Sequence, residues 1–322
     1  MYLLTLGRIG VAILLVLALS SPASAHCIVG NRFFPATLIV DDPCVNDELS
    51  FPTIAGFKNG DQLSADELDI SGEYSKTITE RFGVSVGDTW VHLHEPGDGN
   101  HAGFDNFETS FKYQFIKSDA QEFAFSAALD VDWGGTGSSS IGAEPFTTLI
   151  PTVFAGKGFG FLPENMKFFK PFALTAQVGY AVPTQSSTTA LDAQTGLLTS
   201  TDNPQFLVWG GSLQYSFHYL KSNVQDLGLP NFVNRLVPLV EFNLETQVAN
   251  LNGEERTTGT VNPGVVYVAD KYQLGFEAII PVNRASGDAV GVIGQLHLYL
   301  DDIFPNSIGR PLFAAASRPS GQ

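Results

Sequence analysis

The chain has 322 residues, 44% of them hydrophobic but only 16% charged, with 33 acidic and 17 basic side chains and a formal net charge of −16. Soluble domains typically carry about 25% charged residues, so this chain has few charges for a protein that faces water on all sides. The acidic excess argues against nucleic-acid binding, because an acidic surface repels phosphate.

The first 25 residues predict a secretory signal peptide. Arg8 precedes an apolar stretch from Ile9 to Leu19, and the small residues Ala23, Ser24 and Ala25 follow. The apolar stretch is too short for a membrane-spanning helix, which needs about 20 residues. We therefore expect export and cleavage after Ala25; an anchoring helix is the alternative.

Residues 26–48 are predicted to form a periplasmic N-terminal segment. It contains the only two cysteines, Cys27 and Cys44, and an even pair in an oxidising compartment most simply forms one disulfide. Free thiols are the alternative. The segment is also a candidate plug for the structure that follows it.

From residue 49 to residue 305, apolar side chains recur at alternate positions, as in membrane strands of about 9 to 11 residues. Between Phe123 and Trp133 the odd positions are apolar, whereas the even ones are small or acidic. The pattern predicts an all-β fold, a closed antiparallel transmembrane β-barrel of about 12 strands. The predicted strands are 49–57, 68–78, 84–93, 107–115, 123–133, 146–155, 172–182, 207–219, 236–248, 261–269, 272–280 and 290–300.

The alternative fold is a secreted β-sandwich or propeller. A water-facing sheet would carry Lys and Glu on its second face, whereas here that face is dominated by Ser, Thr, Gly, Ala, Asn and Gln. Closure also leaves no strand edge unpaired in lipid. These features favour the barrel, followed by a periplasmic tail over residues 306–322. Two connections, 156–170 and 221–235, are longer than the periplasmic turns of such barrels and are expected to hold short helices or irregular strand ends.

The closing strands resemble a known family. The motifs are Val261–Val265, Tyr272–Gly275, Glu277–Asn283 and Gln295–Pro305, with a looser similarity at Glu73–Lys76 and Thr79–Gly83. They are similar to the last strands of the bacterial outer-membrane barrels labelled for the meta-pathway of phenol degradation. The resemblance implies a channel or transporter-like protein for hydrophobic and aromatic compounds. It does not imply a phenol-degrading enzyme, because the label reflects genetic neighbourhood.

Acidic residues on the polar strand faces are the candidate site. They are Glu108, Asp130, Asp132, Glu241, Glu245 and Glu277. Charged residues lining a pore set its ion preference, so we predict a lumen that favours cations or neutral solutes over anions. The alternative is that the acids pair with Arg81, Lys112 or Arg235 and fill the barrel.

Other candidate chemistry is weaker. His92 and His94 share a strand face near His101, which is compatible with a metal site but more typical of a polar rim. Asp98–Asn100 lacks the further acids of a calcium loop. Ser216 and His218 lie on one predicted face, as a hydrolase would need, without an evident orienting acid. The sequence therefore predicts no enzyme, no metal site and no cofactor.

Together these features predict an outer-membrane channel or transporter-like barrel for small molecules, hydrophobic or aromatic ones among them. Its expected partners are outer-membrane lipid and small solutes. The alternative is a plugged structural or interaction barrel that displays surface loops such as 183–204, and an outer-membrane hydrolase ranks below both. The sequence leaves the transported solute and the oligomeric state open.

Overall fold

The computed structural model describes residues 27–58, 65–97, 99–191, 196–249 and 257–313. The predicted signal peptide and residues 314–322 of the predicted tail lie outside this part of the chain. Twelve long strands are β1 (Glu48–Lys58), β2 (Asp66–Thr79), β3 (Phe82–Glu95), β4 (Phe107–Ser118), β5 (Phe123–Trp133), β6 (Thr148–Gly158), β7 (Phe172–Pro183), β8 (Gln205–Tyr215), β9 (Leu236–Ala249), β10 (Thr257–Val268), β11 (Tyr272–Pro281) and β12 (Gly291–Tyr299).

Each long strand pairs antiparallel with its neighbours in the chain, and β12 pairs with β1. The sheet therefore closes on itself, with His297 of β12 opposite Ser50 of β1. The short strand Gly99–Phe104 pairs antiparallel with the C-terminal half of β3, from Trp90 to Glu95. The predicted closed barrel of about 12 strands is confirmed.

The two ends of the barrel differ. At one, called the turn end, tight connections join β2 to β3, β4 to β5 and β10 to β11. The two longer connections there hold short helices, at Glu164–Phe169 and at Phe217–Tyr219, Leu220–Val224 and Asn231–Asn234. At the opposite, loop end, a hairpin of Ser187–Leu191 and Leu198–Asp202 joins β7 to β8. Ser139–Ile141 forms a short helix between β5 and β6 at the loop end. The helical turn Leu300–Ile303 follows β12 at the turn end.

The barrel is apolar outside. Large apolar side chains at alternate positions, such as Leu129, Leu174 and Phe276, are exposed on its outer surface, and Phe276 keeps 57% of its area accessible. Such a surface is stable against lipid and costly against water. No helix in the described ranges has the length and hydropathy to cross a bilayer. The outward side chains of the strands form a continuous apolar belt.

Two strand predictions were too long. Predicted strand 207–219 ends at Tyr215, and Phe217–Tyr219 is helical because the Ser216 side chain accepts the Tyr219 N–H at 3.1 Å. Likewise, predicted strand 290–300 ends at Tyr299, and Leu300 begins a helical turn. Alternating apolar residues continue into both turns, so periodicity alone does not mark these boundaries.

Residues 27–47, called the lumen plug, lie against the inward-facing side chains of the strands. The plug begins with a two-residue-strand hairpin, Ile28–Val29 and Arg32–Phe33. The Cys27–Cys44 disulfide is confirmed, with a Cα–Cα distance of 5.4 Å. The sequence placed this segment on the periplasmic side, with a plug as a candidate role. The structure puts its described residues inside the lumen, against the inward faces of the strands. The buried core of the barrel is therefore partly supplied by the plug.

Candidate functional site: the lumen and its plug

One wall of the barrel holds the plug through a single carboxylate. Glu241 of β9 is fully buried and accepts the backbone N–H groups of Leu38, Ile39 and Val40 at 3.0, 3.1 and 2.9 Å. Three converging N–H donors compensate a buried charge that would otherwise be costly. Leu38 also packs against the apolar inward side chains of the adjoining strands, which are Ala55, Val237, Leu239, Val266, Ile279 and Ile293.

The other wall holds the plug with a lysine and a serine. Lys112 of β4 pairs with the Asp41 carboxylate and donates to the Asp42 carbonyl at 3.0 Å. Ser126 of β5 donates to the Pro43 carbonyl at 2.6 Å. Strands β4 and β5 lie about half the barrel circumference away from β9 to β11. The plug thus spans the lumen from wall to wall.

A buried arginine fixes the plug near the turn end. Arg32 donates to the Glu122 carboxylate at 3.3 Å and to the Pro171 carbonyl at 2.9 Å. Its guanidinium lies 3.8 Å from the centre of the Tyr219 ring. Burial lowers the pKa of Arg32, against the opposing effect of Glu122. Burial first, and then the hydrogen bond to Glu122, raises the pKa of Tyr219 to about 12.

Against the plug, the lumen contains a cavity of about 440 Å³. Plug residues from Ala36 to Asn46 contribute to its lining, with side chains of β1 to β8 and β12. Its apolar lining includes Ile150, Phe154 and Val208. The cavity is therefore a chamber that combines many polar side chains with a substantial apolar surface.

Acidic residues dominate the charge of this chamber. Glu108, Asp130 and Asp132, all singled out from the sequence, line it. Asp130 accepts hydrogen bonds from Ser110 at 2.5 Å and Thr152 at 2.9 Å. Glu73 and Asp88 of the neighbouring strands also line the chamber and were not among the acids predicted from the sequence. Alternation within β2 could have identified Glu73, because it shares the inward face with Ser71 and Ser75.

The three other candidate acids have different surroundings. Glu241 is used by the plug, and Glu277 of β11 is fully buried close to it. Glu245 is exposed towards the loop end of β9 and accepts the Thr258 hydroxyl at 3.0 Å. Only the β4 and β5 members of the predicted set therefore line the chamber.

The pairing of β12 with β1, called the closing seam, brings a serine, a histidine and a glutamate together on the chamber wall. Ser50 Oγ lies 2.8 Å from His297 Nδ1, and His297 Nε2 lies 2.6 Å from Glu48 Oε2. All three residues line the chamber, and His297 is buried. In the tautomer that carries its proton on Nε2, Nδ1 accepts a hydrogen bond from the serine. Hydrolases use this type of relay to activate serine, and no motif in the sequence marked it.

Other sequence candidates lie apart from the chamber. His92 stacks on Trp90 with ring centres 6.0 Å apart, and His94 contacts Asn100 at 2.8 Å. Asp98 of the considered calcium loop lies outside the described residues. Ser216 caps the helix that contains His218, so the two do not share a strand face. Arg235 pairs with Asp270 at 2.8 Å and not with a lumen acid.

The chain matches no protein-family model and no curated protein sequence. Among solved structures it is similar to the NanC porin, with 10% identity, a TM-score of 0.43, and 76% of this chain and 97% of that chain covered. The KdgM porin gives 10% identity, a TM-score of 0.40, and coverage of 76% and 98%. The β domain of the Bordetella autotransporter BrkA gives 12% identity, a TM-score of 0.46, and coverage of 78% and 98%. These similarities are too low to support an argument about function.

Proposed function

We propose that the protein is an outer-membrane channel for small solutes that favours cations and neutral molecules over anions. The observation that carries this proposal is a closed barrel, apolar outside, around a polar chamber lined by Glu73, Glu108, Asp130 and Asp132. Closed barrels satisfy every strand edge within lipid, which open sheets do not. Carboxylates around a narrow lumen attract cations and exclude anions.

The plug makes this a gated channel. Its wall-to-wall contacts adjoin the chamber, and we expect solute passage to require that residues 36–44 move. Apolar chamber residues such as Phe154 support small solutes that carry both a polar group and a hydrophobic or aromatic part. The resemblance of the closing strands to barrels labelled for phenol degradation implies hydrophobic and aromatic compounds, which overlap with this substrate class.

Planar-bilayer recordings under a salt gradient test the ion preference. We expect reversal potentials on the cation-selective side for the wild type, and a clear shift towards zero for the double variant Glu108→Gln/Asp130→Asn. Asp226→Asn, which removes a charge at the exposed turn end, should leave the reversal potential unchanged. Anion selectivity of the wild type would contradict the proposal. Absence of conductance both in the wild type and after removal of the plug would favour a structural or interaction barrel.

A second function, hydrolysis of a small ester within the chamber, is favoured by the Ser50–His297–Glu48 contacts. A serine paired to a histidine that an acid orients is a candidate nucleophile. Labelling with a fluorophosphonate probe tests it: the wild type should be labelled, and Ser50→Ala should not. Ser216→Ala, which alters the helix cap away from the seam, is the matched control. Absence of labelling, both in the wild type and in a variant without the plug, would contradict hydrolysis and leave these contacts with a structural role.

A further inference from the structure

The two long connections at the turn end are unusually basic. Residues 157–171 contain Lys157, Lys167 and Lys170 with one glutamate, and residues 216–235 contain Lys221 and Arg235 with one aspartate. The chain as a whole has 17 basic and 33 acidic residues. Lys170 and Arg235 are ion-paired with Glu164 and Asp270, so Lys157, Lys167 and Lys221 supply the excess positive charge of these described segments.

The same connections expose aromatic side chains. Phe161 and Phe232 keep 66% and 63% of their areas accessible, and Phe168 and Phe169 are also exposed. Exposed phenylalanines are costly in water, and such residues concentrate where a membrane protein meets the lipid interface. The exposed rings and the positive charge together indicate that this surface faces a partner other than water.

Ring contacts place the exposed aromatic side chains of both connections against the lipid-facing surface of the barrel, whereas Tyr219 of the second connection faces the plug. Phe169 stacks on Phe172 at 6.1 Å, and Phe172 packs edge-on against Tyr215 at 4.8 Å. Phe232 of the second connection stacks on Tyr267 at 5.3 Å. Phe172, Tyr215 and Tyr267 occupy the outward positions of their strands, since Ala173, Gln214 and Val266 are the buried inward ones. The exposed rings therefore continue the apolar belt of the barrel.

The lysines lie among these rings. Lys157 Nζ is 4.9 Å from the centre of the Phe161 ring, and Lys167 Nζ is 5.2 Å from that of Phe168. Lys167 also donates to Gln225 at 3.0 Å, which links the two connections. An ammonium group has three donors, so Lys167 retains capacity for an anionic acceptor. Lys221 is exposed on the second connection.

We propose that residues 157–171 and 216–235 form a lipid-binding platform that selects anionic phospholipid head groups in the leaflet at the turn end. The exposed rings insert among the acyl chains near the interface, and the lysines contact the phosphates above them. This arrangement of basic and aromatic residues is the one that binds anionic membranes. The proposal rests on the barrel spanning a bilayer, and it is independent of what passes through the lumen.

Lipid titration of the full-length mature protein in dodecyl maltoside micelles, followed by native mass spectrometry, tests the platform. We expect phosphatidylglycerol to bind about tenfold more tightly than phosphatidylcholine. The triple variant Lys167→Gln/Lys170→Gln/Lys221→Gln should lose most of that preference. Lys58→Gln/Arg284→Gln, which removes two positive charges from the loop end, should keep it. Glycerol phosphate, which has the anionic group without acyl chains, should compete weakly.

Two results would overturn the proposal: equal binding of both lipids, or an unchanged preference in the triple variant. Strong competition by glycerol phosphate would instead assign the lysines to a soluble phosphate and contradict a lipid platform. A second measurement follows Phe232→Trp in liposomes with lipids brominated near the head group. The brominated lipids should quench the fluorescence of the introduced tryptophan. An unquenched tryptophan signal from inserted protein would contradict the proposal. Failure of the protein to insert at all would count against the membrane barrel itself.

Discussion

At the scale of single residues, Glu241 explains how a charge is accommodated inside the barrel. Its carboxylate is fully buried and yet accepts three consecutive backbone N–H groups of the plug. Hydrogen bonds to a charged group contribute about 1.5–3 kcal/mol each, and they also satisfy plug N–H groups that have no strand partner. The plug and this wall are therefore mutually dependent.

Replacing Glu241 by alanine should loosen the plug. We expect amide hydrogen exchange at residues 38–40 to accelerate by about tenfold or more, because the variant removes charge-assisted hydrogen bonds worth at least about 1.5 kcal/mol each. Hydrogen–deuterium exchange with mass spectrometry measures the change. Glu245→Ala, four residues along the same strand and exposed, is the control and should leave these amides protected. Equal protection in both variants would show that Glu241 does not hold the plug.

Asp42 makes the stability of the plug depend on pH. Burial, followed by the negative charges of Glu48 and Asp41, raises the pKa of Asp42 well above its ordinary value. Lys112 and the Cys44 N–H, which Asp42 accepts at 2.7 Å, act in the opposite direction. A carboxyl with a raised pKa in the folded state favours folding while it is protonated, and this stabilisation is lost as pH rises through that pKa.

Channel current should therefore increase with pH in the wild type, because ionised Asp42 weakens the binding of the plug inside the lumen. In Asp42→Asn, which cannot ionise, this part of the pH dependence should disappear. Bilayer recordings from pH 4 upwards, at constant salt, measure both proteins. A current that falls with pH in the wild type, or an identical profile in the variant, would argue against this role of Asp42.

At the scale of elements, inward-facing glycines make room for the plug. A Cβ added to Gly275 of β11 would overlap the Leu38 side chain. One added to Gly156 of β6 would lie 2.8 Å from Pro43 Cγ and 3.2 Å from the Phe34 ring. The small residues on the polar strand faces thus have a packing role, which period-two alternation alone does not reveal.

Gly275→Val should displace the plug and raise the single-channel conductance. The added side chain cannot fit beside Leu38, and overpacking of this kind typically costs about 1–3 kcal/mol. Gly294→Val on the next strand is the matched control, because a Cβ there meets only the Gly275 carbonyl at 3.7 Å. Deletion of residues 27–46 gives the upper limit of the conductance. Equal conductance in the wild type and the deletion variant would mean that the plug does not obstruct the lumen.

At the scale of the whole molecule, closure joins residues that are far apart in the chain. The β12–β1 pairing places His297 between Ser50 and Glu48, across a sequence separation of 247 residues for the serine. Glu48 keeps only 13% of its side-chain area accessible, so replacement of His297 removes the main partner of a largely buried carboxylate. Breaking such a pair typically costs about 3–5 kcal/mol.

His297→Leu should lower the temperature at which the folded barrel converts to its unfolded electrophoretic form in detergent. The double variant Glu48→Gln/His297→Leu should recover part of this loss, because it also removes the unpaired carboxylate. His94→Leu, an exposed position near the loop end, serves as the control. If all three proteins unfold at the wild-type temperature, the seam contacts do not contribute to closure.

The sequence by itself determined the barrel and its disulfide. Alternation of apolar and polar side chains is a local property, so it predicted the strands, their outward faces and the lumen acids of β4 and β5. It failed at residues 217–219, where apolar residues continue at alternate positions while the Ser216 hydroxyl caps a helix.

Only the tertiary structure decided how the lumen is organised. The contact between Leu38 and Glu241 joins residues 203 positions apart, and no local pattern specifies it. The same is true of the Ser50–His297 seam and of the division of the acids between chamber and plug. Periodicity assigns a side chain to a face of a strand, whereas its function depends on what the closed barrel places opposite that face.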